Sequence, residues 1–301
     1  MNRVFILSDH SKRYRELLNK HALPQLQPCD DIRDANIVLA DPPKVASLLH
    51  SASSLEWLQS TFAGCDAVLA HTKRDYTLTN VRGIFGPLIA EYVLGHLLNH
   101  TRHLAIYRKQ QQQAEWQPHA YSSLAGKHML ILGTGSIGSH LAETAKLFGM
   151  TVSGLSRSGN PTAPFDTVYA TSALDSALAQ ADVVVSTLPY TPETHHLLNE
   201  ESLGQCQQAL LFNVGRGGVL SEQGLIKALD DGAVEHAFLD VFATEPLSEA
   251  HPFWDHPKVS VTPHIAAVSF PDDVFACFRQ NYLNWYHDKP LDSIVDFERG
   301  Y

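Results

Sequence analysis

From His128 to Gly149 the chain reads H-M-L-I-L-G-T-G-S-I-G-S-H-L-A-E-T-A-K-L-F-G: an apolar run, three spaced glycines, then a helical pattern. Met129 to Leu132 fit a short parallel strand buried on both faces. Gly133, Gly135 and Gly138 follow as G-x-G-x-x-G, and Ile137, Leu141, Ala145 and Phe148 then recur at helical spacing. An isolated glycine triplet is often only a turn; strand, glycine turn and helix in succession is the context that gives it meaning. Gly133 would allow the tight turn, Gly135 would let a pyrophosphate approach the backbone, and Gly138 would let helix and strand pack closely. The first helical residues, Ser136 and Ile137, would offer free N–H groups and a positive dipole end to phosphate. The segment thus predicts a dinucleotide-binding βαβ unit with Gly133, Gly135, Ser136, Ile137 and Gly138 on the phosphates.

C-terminal to it, apolar runs recur at Thr151 to Leu155, Val168-Tyr169, Asp182 to Thr187, Ala209 to Val214, His236 to Val241 and Val259 to Thr262, with helical segments between most of them. This predicts six or seven parallel strands in a doubly wound α/β sheet. N-terminal to it, Val4 to Leu7, Asn36 to Ala40, Leu55 to Leu58 and Val68-Leu69-Ala70 read as strands of a smaller α/β domain, with Ala63-Gly64-Cys65-Asp66 as a turn. Pro87 to about Gln113 reads as one long helix, with Ile89, Val93, Leu97 and Leu98 on one side and the Gln110 to Gln113 run as its solvated end. Phe270 to Tyr286 reads as a final helix, followed by a short tail to Tyr301.

The 301 residues suffice for two domains, and 44% hydrophobic with 18% charged residues is ordinary for a globular chain. A formal net charge of −10 argues against a nucleic-acid partner, which needs a basic face. Cys29, Cys65, Cys206 and Cys277 are scattered without a C-x-x-C pair and suit a reducing cytosol. No apolar leader and no run of about 18 apolar residues is present, so a cytoplasmic protein without a membrane partner is expected.

The end of the first βαβ unit bears on the cofactor. A carboxylate about 20 residues past the glycines would bind a free ribose 2′-hydroxyl; here Ser156-Arg157-Ser158 stands instead. An arginine among hydroxyls suits a 2′-phosphate, which favours NADP(H), with NAD(H) the other possibility. Three later residues each follow a strand's C-terminal end, where open α/β sheets bind ligands: Arg216 in N-V-G-R-G-G, Glu245 in L-D-V-F-A-T-E-P-L and His264 in V-T-P-H-I-A-A. Any one alone is most often structural. Together they supply a carboxylate clamp, an acid–base group and a carboxylate that favours its charged form. His96, His100 and His103 share a helix face at i, i+4 and i+7, but no carboxylate motif accompanies them and no metal site is expected.

The glycine motif, L-P-Y-T-P-E-T at Leu188 to Thr194, N-V-G-R-G-G, L-D-V-F-A-T-E-P-L and T-P-H-I-A-A in this order resemble the D-isomer-specific 2-hydroxyacid dehydrogenase family. The E-Y-V helix, A-E-W-Q-P at Ala114 to Pro118 and the ending E-R-G-Y resemble its glyoxylate/hydroxypyruvate reductase A branch. The resemblance implies a Rossmann domain, residues 97–281, inserted into a flavodoxin-like substrate domain of residues 1–96 and 282–301. It also implies a homodimer reducing small 2-ketoacids such as glyoxylate or hydroxypyruvate to 2-hydroxyacids. Arg216 would bind the substrate carboxylate, His264 would protonate the keto oxygen, and Glu245 would orient His264. Asp240 would contact the nicotinamide carboxamide, Ala63-Gly64 would offer N–H groups to the carboxylate, and Thr187, Leu188 and Pro189 would line the adenosine and ribose. Val214 and Gly215 would lie beneath the nicotinamide, with His264 and Ala266 also on the cofactor. Two departures stand out: Gly159-Asn160 follow where the branch carries further basic residues, and Ala40-Asp41 precede Pro42-Pro43 where it tends to have tryptophan. A formate dehydrogenase, a phosphoglycerate dehydrogenase and a nucleotide-sensing corepressor share the fold. Formate oxidation needs no proton transfer, no regulatory domain is expected, and no peptide-docking or nuclear-targeting segment is apparent.

Overall fold

The structure is a computed structural model that describes residues 1–300; Tyr301, the last residue of the E-R-G-Y ending, lies outside the described residues. The chain divides into two compact units, Met1–Ile84 with the segment from Ser269 onward, and Phe85–Val268. The boundaries expected from sequence, 96/97 and 281/282, fall inside the helices Phe85–Thr101 and Pro271–Tyr286. Each helix stays whole within one unit, as its cooperative backbone ladder favours.

The first unit is built on five parallel strands, β1 (Asn2–Leu7), β2 (Leu26–Cys29), β3 (Ile37–Ala40), β4 (Trp57–Ser60) and β5 (Thr77–Thr79), in the order β2-β1-β3-β4-β5. This is the flavodoxin-like order. Successive side chains alternate between faces. Val38, Ala40, Leu58 and Leu78 point to a core shared with Val45, Leu49 and Val68. On the other face the fully buried Trp57 stacks on Phe278 at 5.3 Å and donates from Nε1 to Thr79 Oγ1 at 2.8 Å.

The second unit carries seven parallel strands: β6 (His128–Leu132), β7 (Thr151–Ser156), β8 (Thr167–Ala170), β9 (Val183–Ser186), β10 (Ala209–Asn213), β11 (Val234–Leu239) and β12 (Val259–Val261). Their order is β12-β11-β10-β9-β6-β7-β8. Met129 and Ile131 pack on one face with Ile89, Val93 and Leu97 of the helix Phe85–Thr101 and with Leu141 and Ala145 of the helix Ser136–Leu147. Leu130 and Leu132 pack on the other with Leu178, Leu203, Leu225 and Leu229. Helices on both faces of a parallel sheet make it doubly wound, as the sequence pattern predicts. The direction of winding reverses between β6 and β9, which makes their shared C-terminal edge the topological switch point.

Three elements differ from the sequence expectation. Val68-Leu69-Ala70 is not a strand: Asp66–Leu69 is a helical turn whose Val68 and Leu69 N–H groups both donate to Cys65 O. Pro87 to Gln113 is not one helix but two, Phe85–Thr101 and Leu104–Gln112. The break is at His103, in the left-handed region at φ 55°, and Thr101 Oγ1 bonds back to Leu97 O at 2.8 Å, a contact that bends helices. His96 and His100 therefore lie on the first helix, while His103 turns its Nε2 to Ala120 O at 2.7 Å. The third difference is two added strands, β2 and β5, too short and too polar (L-Q-P-C and T-L-T) to show a periodicity. Among the described residues no helix is long and apolar enough to cross a membrane.

Candidate active site

In the second unit, six strands present their C-terminal loops side by side in the order β7, β6, β9, β10, β11, β12. Five interstrand steps of about 4.8 Å give an edge of roughly 24 Å. The residues that the sequence assigns to cofactor or substrate in this unit lie at these strand ends, in the loops or just after them.

β6 runs into the glycine turn. Gly133 has φ 108°, and a Cβ there would stand 2.7 Å from Thr187 Oγ1; a Cβ on Gly138 would stand 2.0 Å from Gly133 O. At Gly135 a Cβ would meet nothing within 4 Å. Two glycines thus let protein pack on protein, while the third bares its backbone to open space. The helix Ser136–Leu147 begins there without a side-chain cap. Bare backbone before an uncapped helix N-terminus is the cradle a pyrophosphate fits. Beside it, β7 ends at Ser156, whose Oγ accepts Gly159 N at 3.1 Å, and Arg157 is exposed. Arg157 is also felt by Glu193: the Glu193 carboxylate is held below its ordinary range by its backbone N–H, then by Thr191, and further by this guanidinium.

At the switch point Thr187 ties β9 to β6, its N–H donating to Leu132 O at 2.9 Å and its Oγ1 at 3.1 Å. Leu188 and Pro189 follow. The next loop locks against them, since a Cβ on Gly215 would stand 2.5 Å from Leu188 O. Arg216 comes after Val214 and Gly215, half-buried, donating from Nη1 to Gly215 O at 2.8 Å, while Asn213 Nδ2 donates to Arg216 O at 3.0 Å. Gly217 holds this loop on the next, because a Cβ there would lie 1.9 Å from Phe242 C.

Past β11, the Glu245 carboxylate accepts Phe242 N on Oε1 at 2.9 Å and meets His264 Nδ1 with Oε2 at 2.8 Å. A carboxylate only accepts, so Nδ1 carries the proton and Nε2 is left to work on a ligand. His264 itself has φ 53°, with its N–H on Asp240 O at 2.9 Å. Asp240, buried, accepts Thr262 Oγ1 at 2.6 Å, Ile265 N at 2.8 Å and Ala266 N at 2.9 Å, and Thr262 Oγ1 in turn meets Tyr92 OH at 2.7 Å. Sequence reasoning does not single out Tyr92 or Thr262. Their signal was the E-Y helix and the threonine two places before the histidine, and only their spatial convergence gives it weight.

In the first unit, Ala63 and Gly64 form a half-buried turn after β4. Ser60 Oγ accepts Phe62 N at 2.9 Å, and Asn80 Nδ2 donates to Ala63 O at 2.7 Å, so the turn is braced from both sides.

A Rossmann-type sheet whose C-terminal edge carries a phosphate cradle at one end and a paired histidine and carboxylate at the other defines a dinucleotide-dependent oxidoreductase. Residues 94–266 match the model of the D-isomer specific 2-hydroxyacid dehydrogenase, NAD binding domain. The chain is 34% identical over 291 residues to a glyoxylate/hydroxypyruvate reductase A of Serratia proteamaculans, covering 91% of this chain and 90% of that one. A crystal structure of a D-isomer specific 2-hydroxyacid dehydrogenase family protein from Aeromonas salmonicida superposes with a TM-score of 0.94 at 48% identity, over 98% of this chain and 99% of that one. An NADPH-dependent glyoxylate/hydroxypyruvate reductase from Sinorhizobium meliloti, in complex with NADP and sulfate, superposes with a TM-score of 0.89 at 27% identity over 100% of both chains. The chain belongs to the D-isomer specific 2-hydroxyacid dehydrogenase family and is an oxidoreductase with an NAD-binding domain.

Proposed function

We propose that this enzyme reduces small 2-ketoacids, of the glyoxylate and hydroxypyruvate class, to D-2-hydroxyacids with NADPH. The observation that carries the reading is the His264–Glu245 pair at 2.8 Å, because carbonyl reduction requires a proton donor and formate oxidation does not. The names of the relatives point the same way. Arg216 holds the substrate carboxylate by paired charge-assisted hydrogen bonds, which also orients C2. The family resemblance would add N–H groups of the Ala63-Gly64 turn to that carboxylate. His264 gives the Nε2 proton to the keto oxygen, and Glu245 holds the imidazole upright and balances the charge it carries beforehand.

The glycine turn and the N–H groups of Ser136, Ile137 and Gly138 would hold the pyrophosphate. Thr187, Leu188 and Pro189 would line the ribose, while Val214, Gly215, Asp240 and Ala266 would lie toward the nicotinamide. When bound there, the reduced nicotinamide supplies the hydride for C2. Preference for the phosphorylated coenzyme is supported by Ser156-Arg157-Ser158, where a carboxylate selective for NADH is missing from the strand end. Self-association as a homodimer is supported by the exposed Leu104, Ile106, Tyr107, Trp116 and Tyr121, which crowd one short segment; Trp116 is 99% exposed.

The test is a ketoacid panel of glyoxylate, hydroxypyruvate, pyruvate and a phenyl-bearing analogue, each with NADPH and NADH. Turnover of the small acids with a higher kcat/KM for NADPH is expected. Coenzyme binding without turnover of any ketoacid would overturn the reading, and light scattering of the same sample reports the dimer.

A further inference from the structure

His264 occupies a backbone conformation that a non-glycine residue rarely adopts, at φ 53°. Something must hold it there, and the hydrogen bonds show what does. Asp240, only 1% exposed, spends both carboxylate oxygens on the segment that carries the histidine. Its Oδ1 accepts Thr262 Oγ1 at 2.6 Å and Ile265 N at 2.8 Å, and its Oδ2 accepts Ala266 N at 2.9 Å. Its own carbonyl accepts His264 N at 2.9 Å. The residue is grasped on both sides, at 262 and at 265–266, by one buried carboxylate.

The direction of the remaining bond follows from counting protons. Thr262 has one hydroxyl proton and gives it to a carboxylate, which has none to offer. At the 2.7 Å contact with Tyr92 OH, Thr262 must therefore accept and Tyr92 must donate. The chain runs from the Tyr92 hydroxyl to the Thr262 hydroxyl to the Asp240 carboxylate, each bond polarising the next. Tyr92 comes from the helix Phe85–Thr101, a different part of the unit from the strand ends it steadies. Burial pushes its phenol up to about 12, against the smaller lowering effect of the Thr262 bond, so it stays a donor at any neutral or mildly alkaline pH.

We propose that Tyr92 and Thr262 are positioning residues for the proton transfer, clamping the 262–266 segment in the one backbone conformation that aims the His264 imidazole at Glu245. The inference rests on the reading of His264 as the acid–base group. It assigns part of the catalytic rate to two hydroxyls outside the acid–base pair. Without the Thr262 hydroxyl, Asp240 keeps its two backbone donors, so the fold survives while the histidine segment loosens.

The experiment compares Thr262→Val, Thr262→Ser, Tyr92→Phe and His264→Asn in the full-length enzyme. The readouts are kcat and KM for hydroxypyruvate, NADPH affinity by fluorescence, melting temperature, and the imidazole proton shared with Glu245 by NMR. Thr262→Val is expected to lower kcat by about tenfold or more, with ketoacid KM and NADPH affinity within about threefold. Thr262→Ser should return kcat to within about threefold of the parent and restore the shared-proton signal, and Tyr92→Phe should lower kcat by about threefold. Unchanged kcat in Thr262→Val, or a serine variant as slow as the valine one, overturns the proposal. If Thr262→Val does not fold, Tyr92→Phe decides, and parent-like kcat there overturns it. Normal turnover in His264→Asn would instead overturn the acid–base reading itself, a separate and distinguishable result.

Discussion

Glu245 faces His264 across 2.8 Å while its second oxygen is taken by the Phe242 N–H at 2.9 Å. Both partners are donors, so the position demands two acceptors on one planar group. Glutamine has the same shape but only one acceptor. In Glu245→Gln either the imidazole or the Phe242 amide must face an NH2 group, and the donor so opposed loses its hydrogen bond. The expected outcome is a kcat lowered by about 10² with ketoacid KM changed far less, since general acid–base assistance is worth about 10²–10⁴. Steady-state kinetics with saturating NADPH check it, and a kcat near the parent value would show that Glu245 does not orient the acid.

Arg157 stands exposed at the end of β7, in the electrostatic reach of Glu193. A bound 2′-phosphate would compete with that carboxylate for the guanidinium and should win, carrying more charge and more acceptor oxygens. Arg157→Ala is expected to raise KM for NADPH by about tenfold, the worth of one partly exposed charged hydrogen bond, and to leave KM for NADH almost unchanged. Equal effects on the two coenzymes would mean that Arg157 touches neither ribose selectively.

These two predictions rest on features readable from the chain because each residue follows the C-terminal end of a strand. Gly133 and Gly138 announce close backbone approach, and the structure supplies the reason: a Cβ on either would stand 2.7 and 2.0 Å from its neighbour. What was not readable is equally physical. Val68-Leu69-Ala70 is three apolar residues, and such a run reads the same in a strand or a helical turn; only the bonds to Cys65 O decide. The break at His103 carries no glycine or proline; the Thr101 bond back to Leu97 O and the reach of His103 to Ala120 O that accompany it leave no sequence pattern. Tyr92 and Thr262 lie 170 positions apart, so their 2.7 Å contact leaves no local pattern. The pairing of Glu245 with His264 could be expected from chemistry, but not the second acceptor role toward Phe242.

His236 offers a prediction about pH. It sits on β11 with Nε2 at 2.9 Å from Ser260 Oγ and its ring 5.1 Å from His100. Burial lowers its pKa to about 4 from 6.5, helped by His100, opposed by Glu235, and helped again by His256 and His96. Between those two values the unfolded chain binds a proton at this residue that the folded chain does not. Stability therefore rises with pH across that window and is lost as pH falls from about 6.5 toward 4. The melting temperature should drop on acidification, and the drop should be smaller in His236→Gln by on the order of 5 °C. Parallel melting curves for parent and variant between pH 7 and pH 4.5 would contradict the assignment.

The glycine turn allows the sharpest separation of structure from ligand binding. Gly138→Ala places a methyl 2.0 Å from Gly133 O, a backbone atom that cannot swing aside, so the helix Ser136–Leu147 must shift off β6. Overpacking of this kind costs about 1–3 kcal/mol, and a melting temperature lowered by several degrees is expected. Gly135→Ala places its methyl where no protein atom lies within 4 Å. It should fold and melt like the parent, because nothing in the chain opposes it. If the pyrophosphate rests on that bare backbone, the same methyl pushes it away from the N–H groups beyond, and NADPH affinity should fall by about tenfold or more. Calorimetric melting and fluorescence titration of the two variants side by side make the test. A Gly135→Ala enzyme that binds coenzyme as the parent does would remove the phosphate from this turn, whatever the motif suggests.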